Sequence, residues 1–147
     1  MIAENAVSFV DTNVLVYAFD KGSSLKKGLA QRLIDGLMEN DQLCLSTQVL
    51  QELFVTLTRK VIQPCSSDEA LALLDDLAAW PVIVIDYSAI RAAVDLADEA
   101  NLSFWDALVV VAASRAGATM LYTEDLNHGP RILGVQISNP FLQRTLP

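Results

Sequence analysis

Short apolar segments alternate along this chain with longer segments whose apolar residues recur at helical spacing. Strands are predicted where the apolar segments are short, at Val7 to Val10, Leu43 to Leu45, Val82 to Ile85, Met120 to Tyr122 and Val135 to Ile137. Apolar strands that alternate with helices are typical of a parallel sheet that is covered on both faces. The pattern therefore predicts a three-layer α/β/α sandwich with a central parallel five-stranded sheet. No repeat or linker divides residues 1–147, which are expected to form a single domain.

The predicted helices begin at residues that commonly cap helices. The expected caps are Asp11 or Thr12, Ser23 or Ser24, Ser46 or Thr47, Ser66 with Glu69 in a capping box, and Ser103. The helix after Ser46 or Thr47 is expected to continue until shortly before Pro64, since proline ends a helix.

Composition restricts the class of protein. The chain is 52% hydrophobic, but its longest apolar run, Ala107 to Ala113, is far shorter than the roughly 20 residues of a membrane span. The N-terminal segment carries Glu4 and no basic-then-apolar run, so a soluble protein without a cleaved signal is expected. Cys44 and Cys65 lack metal-ligand spacing, and His128 is the only histidine, which argues against zinc. A reduced, cytoplasmic location fits best, with Cys44 as a small core residue.

The net charge of −8 argues against a general nucleic-acid binder, because such proteins neutralise phosphates with Lys and Arg. Any nucleic-acid role must be local and depend on a metal and a few cations. An acidic surface also suits a basic protein partner. The cations that RNA would meet, which are equally well explained as solvated helix faces, are Lys21, Lys26, Lys27, Arg59 and Lys60.

Asp11 is an isolated carboxylate in the apolar run from Phe9 to Phe19. Burying an ionised group without compensation costs several kcal/mol, so Asp11 is expected at an edge with a partner. It lies between the end of the predicted first strand and the start of a predicted helix over 13–19. The alternative is that Asp11 or Thr12 only caps that helix.

Three further acids are predicted at the same edge of the sheet, the carboxyl ends of the strands, where ligands bind in such folds. Glu52 lies about one and a half turns into the helix after the second strand, Asp106 lies in the first turn of the helix before the fourth, and Asp125 follows the fourth strand. Singly, Asp106 could favour the helix dipole and Glu52 could be solvated. Four such coincidences at one edge are less probable than one site.

Convergent carboxylates repel by about 4 kcal/mol per pair at 4 Å with an effective dielectric near 20. We therefore expect at least one raised pKa or a bound cation. Ligands that are all oxygen favour Mg²⁺ or Mn²⁺, and these ions polarise phosphoryl oxygens and activate water for phosphodiester cleavage. In this arrangement Thr12 and Asn13 would cap the helix, which leaves the Asp11 carboxylate free for the cation.

Four motifs, DTNVLVYAFD, STQVLQE, SFWDALVVVAA and LYTEDLNHG, resemble in order and spacing the PIN domain, and most closely the VapC-like toxins of toxin–antitoxin pairs. The resemblance implies a metal-dependent endoribonuclease, a homodimer and a small inhibitory antitoxin. The net charge of −8 predicts that such an antitoxin would contact the site through a basic segment, with Arg or Lys in the place of the metal. The resemblance implies an acidic site of Asp11, Glu52, Asp106 and Asp125. It also implies supporting residues that orient carboxylates or water: Asn13, Ser46 and Thr123. Glu124 adds a carboxylate, so either Glu124 or Asp125 would face the metal.

Two other functions remain open. A magnesium-dependent phosphatase or phospho-acceptor domain would also use an aspartate at a strand end, either Asp11 or Asp86, although Asn13 stands where a phosphatase would need a second aspartate. A catalytically inactive PIN-like interaction module is the non-enzymatic alternative. Trp105 beside Asp106 could stack on a base, but core packing is its expected use.

Overall fold

The structure is a computed structural model that describes residues 6–22 and 24–142. The elements follow in the order β1 Val7–Val10, α1 Thr12–Phe19, α2 Leu25–Glu39, β2 Leu43–Ser46, α3 Thr47–Val55, a π-helical turn Thr56–Lys60, α4 Ser67–Leu77, β3 Val82–Ile83, α5 Tyr87–Ala100, α6 Phe104–Arg115, β4 Ala118–Tyr122, β5 Arg131–Ile132 and β6 Val135–Ser138.

The sheet has the strand order β3-β2-β1-β4-β6-β5, and every pairing except that of β5 with β6 is parallel. At its centre β1 pairs with β4, and Val10 lies opposite Tyr122. From β1 the order runs to β2 and β3, whereas from β4 it runs the other way to β6. The carboxyl ends of β1 and β4 therefore form the crevice of a topological switch point, where ligands bind in open α/β sheets.

The α/β class and the helices flanking a mostly parallel sheet are confirmed, but the predicted count of five parallel strands is wrong. A sixth strand, Arg131–Ile132, pairs antiparallel with β6 at one edge. The strand predicted at Val82 to Ile85 is shorter than expected and only half-buried, because it is the opposite edge strand and pairs with β2 alone. Val84 beyond it is 69% exposed.

All five predicted helix caps are confirmed, and the first of them is Asp11, which caps α1. The hydroxyl oxygens of Ser24, Ser46, Ser66 and Ser103 each accept the backbone N–H of the residue three positions later. Ser66 and Glu69 form the full capping box. Ser23 lies outside the described residues.

The helix predicted to continue towards Pro64 is instead interrupted after Val55. There the hydrogen bonding changes to a π-helical turn, in which Val61 N–H donates to the Thr56 carbonyl five residues back, at 3.2 Å. The turn ends at Lys60, ahead of the proline.

The core lies between the central strands and the helices that cover them. Phe9 and Leu121 on the two central strands are fully buried, as is Cys44 on β2. In α6 every residue from Ala107 to Ala113 is buried, which explains why that helix is apolar on all sides. Within the described residues no helix combines the length and apolarity needed to cross a membrane.

The hairpin between β5 and β6 contains a strained residue. Leu133 has a φ of 50° and is followed by Gly134 at 80°, so both turn residues are left-handed, as in a type I′ turn. A leucine in this conformation costs about 1 kcal/mol, whereas asparagine adopts it readily. Because Leu133 is 54% exposed, little burial is lost on replacement. We expect Leu133→Asn to raise the free energy of unfolding by about 1 kcal/mol in urea titration; an unchanged or lower value would contradict the strain.

Candidate active site

Asp11 is the first residue after β1, and it is 5% exposed. Its backbone N–H donates to the Tyr122 carbonyl at 3.0 Å, which fixes it against the end of β4. The expectation that Thr12 and Asn13 would cap α1 in its place is wrong. Asp11 is itself the N-cap residue, and its Oδ1 accepts the Thr12 N–H at 2.7 Å. One carboxylate oxygen thus begins the helix, and the other faces the switch point.

The second oxygen, Oδ2, is held by the loop after β4. The Thr123 hydroxyl donates to it at 2.9 Å, and Asn13 Nδ2 lies 3.4 Å from it. Thr123 Oγ1 also accepts the Asp125 N–H at 3.1 Å, while Asn13 Oδ1 accepts the Glu124 N–H at 3.0 Å. Asn13 and Thr123 therefore join the ends of β1 and β4 directly beside the Asp11 carboxylate.

Glu52 reaches the same edge from the second turn of α3. Its Oε1 accepts the Thr12 hydroxyl at 2.7 Å, although the two residues are 40 positions apart in sequence. Ser46, fully buried at the end of β2, accepts the Val49 N–H and so begins the helix that carries Glu52. Its contact is with the helix backbone, so any influence of Ser46 on the Glu52 carboxylate acts through the placement of α3.

Asp106 lies in the first turn of α6, where its N–H donates to the Ser103 hydroxyl oxygen. Trp105 beside it is 62% exposed, so the expectation of core packing is wrong. Two adjacent aromatic residues at the start of a helix cannot both face inward. Phe104 is the half-buried one, and its ring meets that of Trp105 edge to face at 5.1 Å between centroids.

The two carboxylates after β4 separate. Glu124 pairs with Lys26 and accepts the Tyr17 hydroxyl at 2.9 Å, so it is turned towards α1 and α2. Asp125 is exposed and acts electrostatically on both Asp11 and Asp106. In this conformation Asp125, and not Glu124, is the acid that shares the edge with the other three.

The predicted rise in pKa is present, but its main cause differs from the expected repulsion. Burial raises the pKa of Asp11 from 3.8 to about 6; hydrogen bonds from Thr12 and Thr123 lower it, and the charges of Asp125 and Glu52 raise it further. Burial also raises the pKa of Asp106, with Ser103 opposing and the same two acids reinforcing the shift. Repulsion is thus the smaller contribution to each shift, after desolvation.

No basic side chain compensates these four acids within the described residues. The ion pairs there are Lys21 with Glu69, Lys26 with Glu124, and Arg115 with Asp86, all of them outside the group. The donors are oxygens alone, which suits Mg²⁺ or Mn²⁺ in charge and ligand type. Over residues 6–22 and 24–142, however, no three His, Cys, Asp or Glu side chains are arranged to hold one metal ion. The four acids thus suit a divalent cation in charge and in donor type, although in this conformation no three of them form a ready-made metal site.

The sequence patterns did not single out Gln48, which connects two of the acidic elements. It is 5% exposed, and its Nε2 donates to Glu52 Oε2 at 3.3 Å and to the Trp105 carbonyl at 3.4 Å. It therefore links α3 to the start of α6, where Asp106 lies. Its Oε1 is buried without a hydrogen-bond partner. The available signal was its position one turn before Glu52 in a helix that is otherwise mostly apolar.

An open groove of about 600 Å³ adjoins the acids. It runs between α1 and α3 and is lined by Thr12, Asn13, Val16, Tyr17, Gln51, Glu52, Val55, Thr56, Lys60 and Asp125. Two of the four acids thus face a space that can hold an extended ligand, next to an apolar wall.

The raised pKa of Asp11 predicts how the stability of the metal-free protein depends on pH. The unfolded state ionises near 3.8 and the folded state only near 6, so stability falls as pH rises between these values and is level outside them. The shift corresponds to about 3 kcal/mol. We expect this decline in the difference between the free energies of unfolding of the wild type and Asp11→Asn, measured by urea titration with a chelator at several pH values. A difference that does not change with pH would contradict the buried carboxylate.

The fold and site together define an α/β protein with an uncompensated acidic cluster at its switch point. The PIN domain family model matches residues 8–129, which is most of the chain, and the chain belongs to this family. A search of curated protein sequences gave no significant match.

Solved structures share this fold at low sequence identity. A chain of a toxin–antitoxin complex from Klebsiella pneumoniae superposes with a TM-score of 0.68 at 19% identity, covering 91% of this chain and 98% of that one. VapC20 of Mycobacterium tuberculosis, described as a toxin that cleaves the sarcin–ricin loop, gives 0.63 at 22%, covering 80% and 91%. A chain of VapBC2 from Rickettsia felis, bound to promoter DNA, gives 0.62 at 20%, covering 90% and 98%.

Proposed function

We propose that this chain is a metal-dependent endoribonuclease and the toxin of a toxin–antitoxin pair. The observation that carries the proposal is the group of four acids around the ends of β1 and β4, which no Lys or Arg of the described residues neutralises. Membership of the PIN domain family supports it. So does the similarity in fold to VapC20, which is described as a toxin that cleaves the sarcin–ricin loop.

In this proposal the four acids hold Mg²⁺ or Mn²⁺. Asp11 and Asp106 would be direct ligands, and Glu52 and Asp125 would bind through water or position the attacking water. When bound, such an ion polarises the phosphoryl oxygens of RNA and makes a water molecule nucleophilic.

The neighbouring side chains keep these acids in place. Thr123 and Asn13 fix the orientation of the Asp11 carboxylate, and Thr12 with Gln48 holds the two oxygens of Glu52. Supporting hydrogen bonds of this kind orient metal ligands in proteins generally. Ser46 contributes by beginning α3, and Glu124 anchors the loop of Asp125 to Lys26.

The proposed partners follow from charge. With a net charge of −8 and an acidic cluster, an antitoxin is expected to place an Arg or Lys among the acids, where the metal would otherwise bind. The solved structure from Klebsiella pneumoniae, a chain of which shares this fold, is a toxin–antitoxin complex. We also propose that residues 1–147 form a single domain that assembles as a homodimer in the cytoplasm, where the free Cys44 and Cys65 would remain reduced.

The phospho-acceptor alternative finds no support at either aspartate. At Asp11, Oδ1 accepts the Thr12 N–H that begins α1 and Oδ2 accepts the Thr123 hydroxyl, and neither contact favours attack on phosphorus over binding of a cation. Asp86 caps α5 by accepting the Ala89 N–H at 2.9 Å, and it pairs with Arg115. Its use is structural in this fold.

The proposal is tested by cleavage of total RNA with purified protein. We expect fragments in the presence of Mn²⁺ or Mg²⁺, none with excess chelator, and recovery when metal is added back. Cleavage that continues unchanged in chelator would contradict the metal requirement, and no cleavage under any of these conditions would contradict the nuclease.

A further inference from the structure

The groove beside the acids carries one positive charge in its lining, Lys60. Glu52, Thr56 and Lys60 follow one another at intervals of four along the same wall, opposite Val16 on α1. A role for this lysine in binding rests on the proposed nuclease function.

The π-helical turn determines where Lys60 lies. In an α-helix of 3.6 residues per turn, positions four apart are rotated by roughly 40°, so a line of such residues winds around the helix. The wider turn over Thr56–Lys60, closed by the bond from Val61 N–H to the Thr56 carbonyl, takes in an extra residue. It thereby returns Lys60 to the face of Thr56 and Glu52. Arg59, one position earlier, is not part of the lining.

The other lysines are already engaged. Lys21 pairs with Glu69, Lys26 pairs with Glu124, and Lys27 Nζ donates to the backbone carbonyls of Asp20 and Gly22 at 2.7 and 3.1 Å. Among the lysines of the described segments, Lys60 is the one without an ion pair or hydrogen bond. The net charge of −8 repels RNA from the protein as a whole, whereas an unpaired lysine can attract a phosphate locally.

We infer that Lys60 binds an RNA phosphate that flanks the scissile one. Glu52 and Lys60 are eight residues apart, roughly 12 Å along the helix at 1.5 Å per residue, and this spacing places the lysine for a neighbouring phosphate and not for the one at the acids. Thr56 and Gln51 add neutral polar groups beside it, and the apolar wall of Val16 and Val55 faces the sugar and base. A basic protein segment would be repelled by Lys60, so charge complementarity favours RNA over such a segment in this part of the groove.

The test compares Lys60→Gln with Arg59→Gln, which removes the neighbouring charge outside the groove. Cleavage and binding of a randomised 20-nucleotide single-stranded RNA are measured in Mn²⁺ over a range of salt concentrations, with thermal unfolding to show that both variants fold. For Lys60→Gln we expect KM to rise about five-fold with kcat nearly unchanged. The slope of log affinity against log salt should fall by about 0.7, the value for one single-strand phosphate contact. Arg59→Gln should match the wild type.

The outcomes separate this inference from the proposed function. The phosphate contact is refuted if the wild type cleaves RNA and Lys60→Gln keeps the wild-type KM and salt slope. It is also refuted if Lys60→Gln and Arg59→Gln lose affinity for RNA equally. In both cases the proposed nuclease stands, and a protein becomes the remaining ligand for the groove. If wild type does not cleave, the proposed nuclease fails, and the binding data decide the contact. A salt slope reduced only in Lys60→Gln would still support an RNA contact, and an unreduced slope would refute it as well.

Discussion

Asp11→Asn is expected to abolish RNA cleavage, with kcat/KM reduced by about 1000-fold or more, while the protein becomes more stable. The loss follows because the neutral amide cannot supply the negative charge that a divalent cation requires. The gain follows because the wild-type fold holds a buried carboxylate whose pKa is raised to about 6, so at pH 7.5 it carries an uncompensated charge. We expect about 1 kcal/mol more stability in urea titration of the metal-free protein: the amide oxygen can still accept the Thr12 N–H, but the amide nitrogen cannot accept the Thr123 hydroxyl, and this loss offsets part of the gain.

The opposite signs distinguish this prediction from damage to the fold, which would lower activity and stability together. Asp98→Asn is the matched control, because Asp98 is an exposed aspartate on α5 that does not belong to the group of four acids. It should change neither quantity. An Asp11→Asn protein that cleaves at the wild-type rate would refute the site, and a destabilised one would refute the electrostatic explanation.

Thr123→Val should have the second-largest effect, and here activity and stability fall together. Thr123 is fully buried, and its hydroxyl donates to Asp11 Oδ2 and accepts the Asp125 N–H. Valine has nearly the same shape but leaves both groups without this partner, at a cost of about 2 kcal/mol. The pKa of Asp11 should rise further, because a hydrogen bond to its charged form is lost. We expect at least about a 10-fold loss in cleavage, the size typical for residues that orient metal ligands.

Thr123→Ser is the control for this change, because it keeps the hydroxyl and removes only a methyl group. It should retain most of the cleavage and most of the stability, measured by the same urea titration and RNA assay. If valine and serine variants behave alike, the hydroxyl network has no part in the site.

Much of the fold could be predicted because β1 and β2 are short apolar segments, each with a residue that caps a helix at its end or directly after it. Ser46 and Ser103 mark helix starts that the structure confirms. The Arg131–Ile132 strand could not be predicted, since two residues carry no periodicity and its turn uses Leu133 where asparagine is usual. No sequence pattern indicated the π-helical turn either, because the segment TLTRK is compatible with an ordinary α-helix.

The part of the site that depends on the order of the strands and helices along the chain could be predicted. Asp11 and Asp125 follow strands that proved to be neighbours, and Glu52 and Asp106 lie on helices that reach the same edge. What could not be predicted depends on side-chain contacts between distant segments. Lys26 attracts Glu124 away from the acids, and Gln48 connects α3 to α6. Nor could the sequence show that one Asp11 carboxylate would both cap a helix and face the acidic edge.

The most direct test of the central claim is sequencing of RNA ends in cells after brief production of the wild-type protein, Asp11→Asn or Asp98→Asn. The proposed nuclease predicts the same new RNA ends with wild type and Asp98→Asn, and none with Asp11→Asn at equal protein levels. New ends that also appear with Asp11→Asn, or no new ends with wild type, would contradict it.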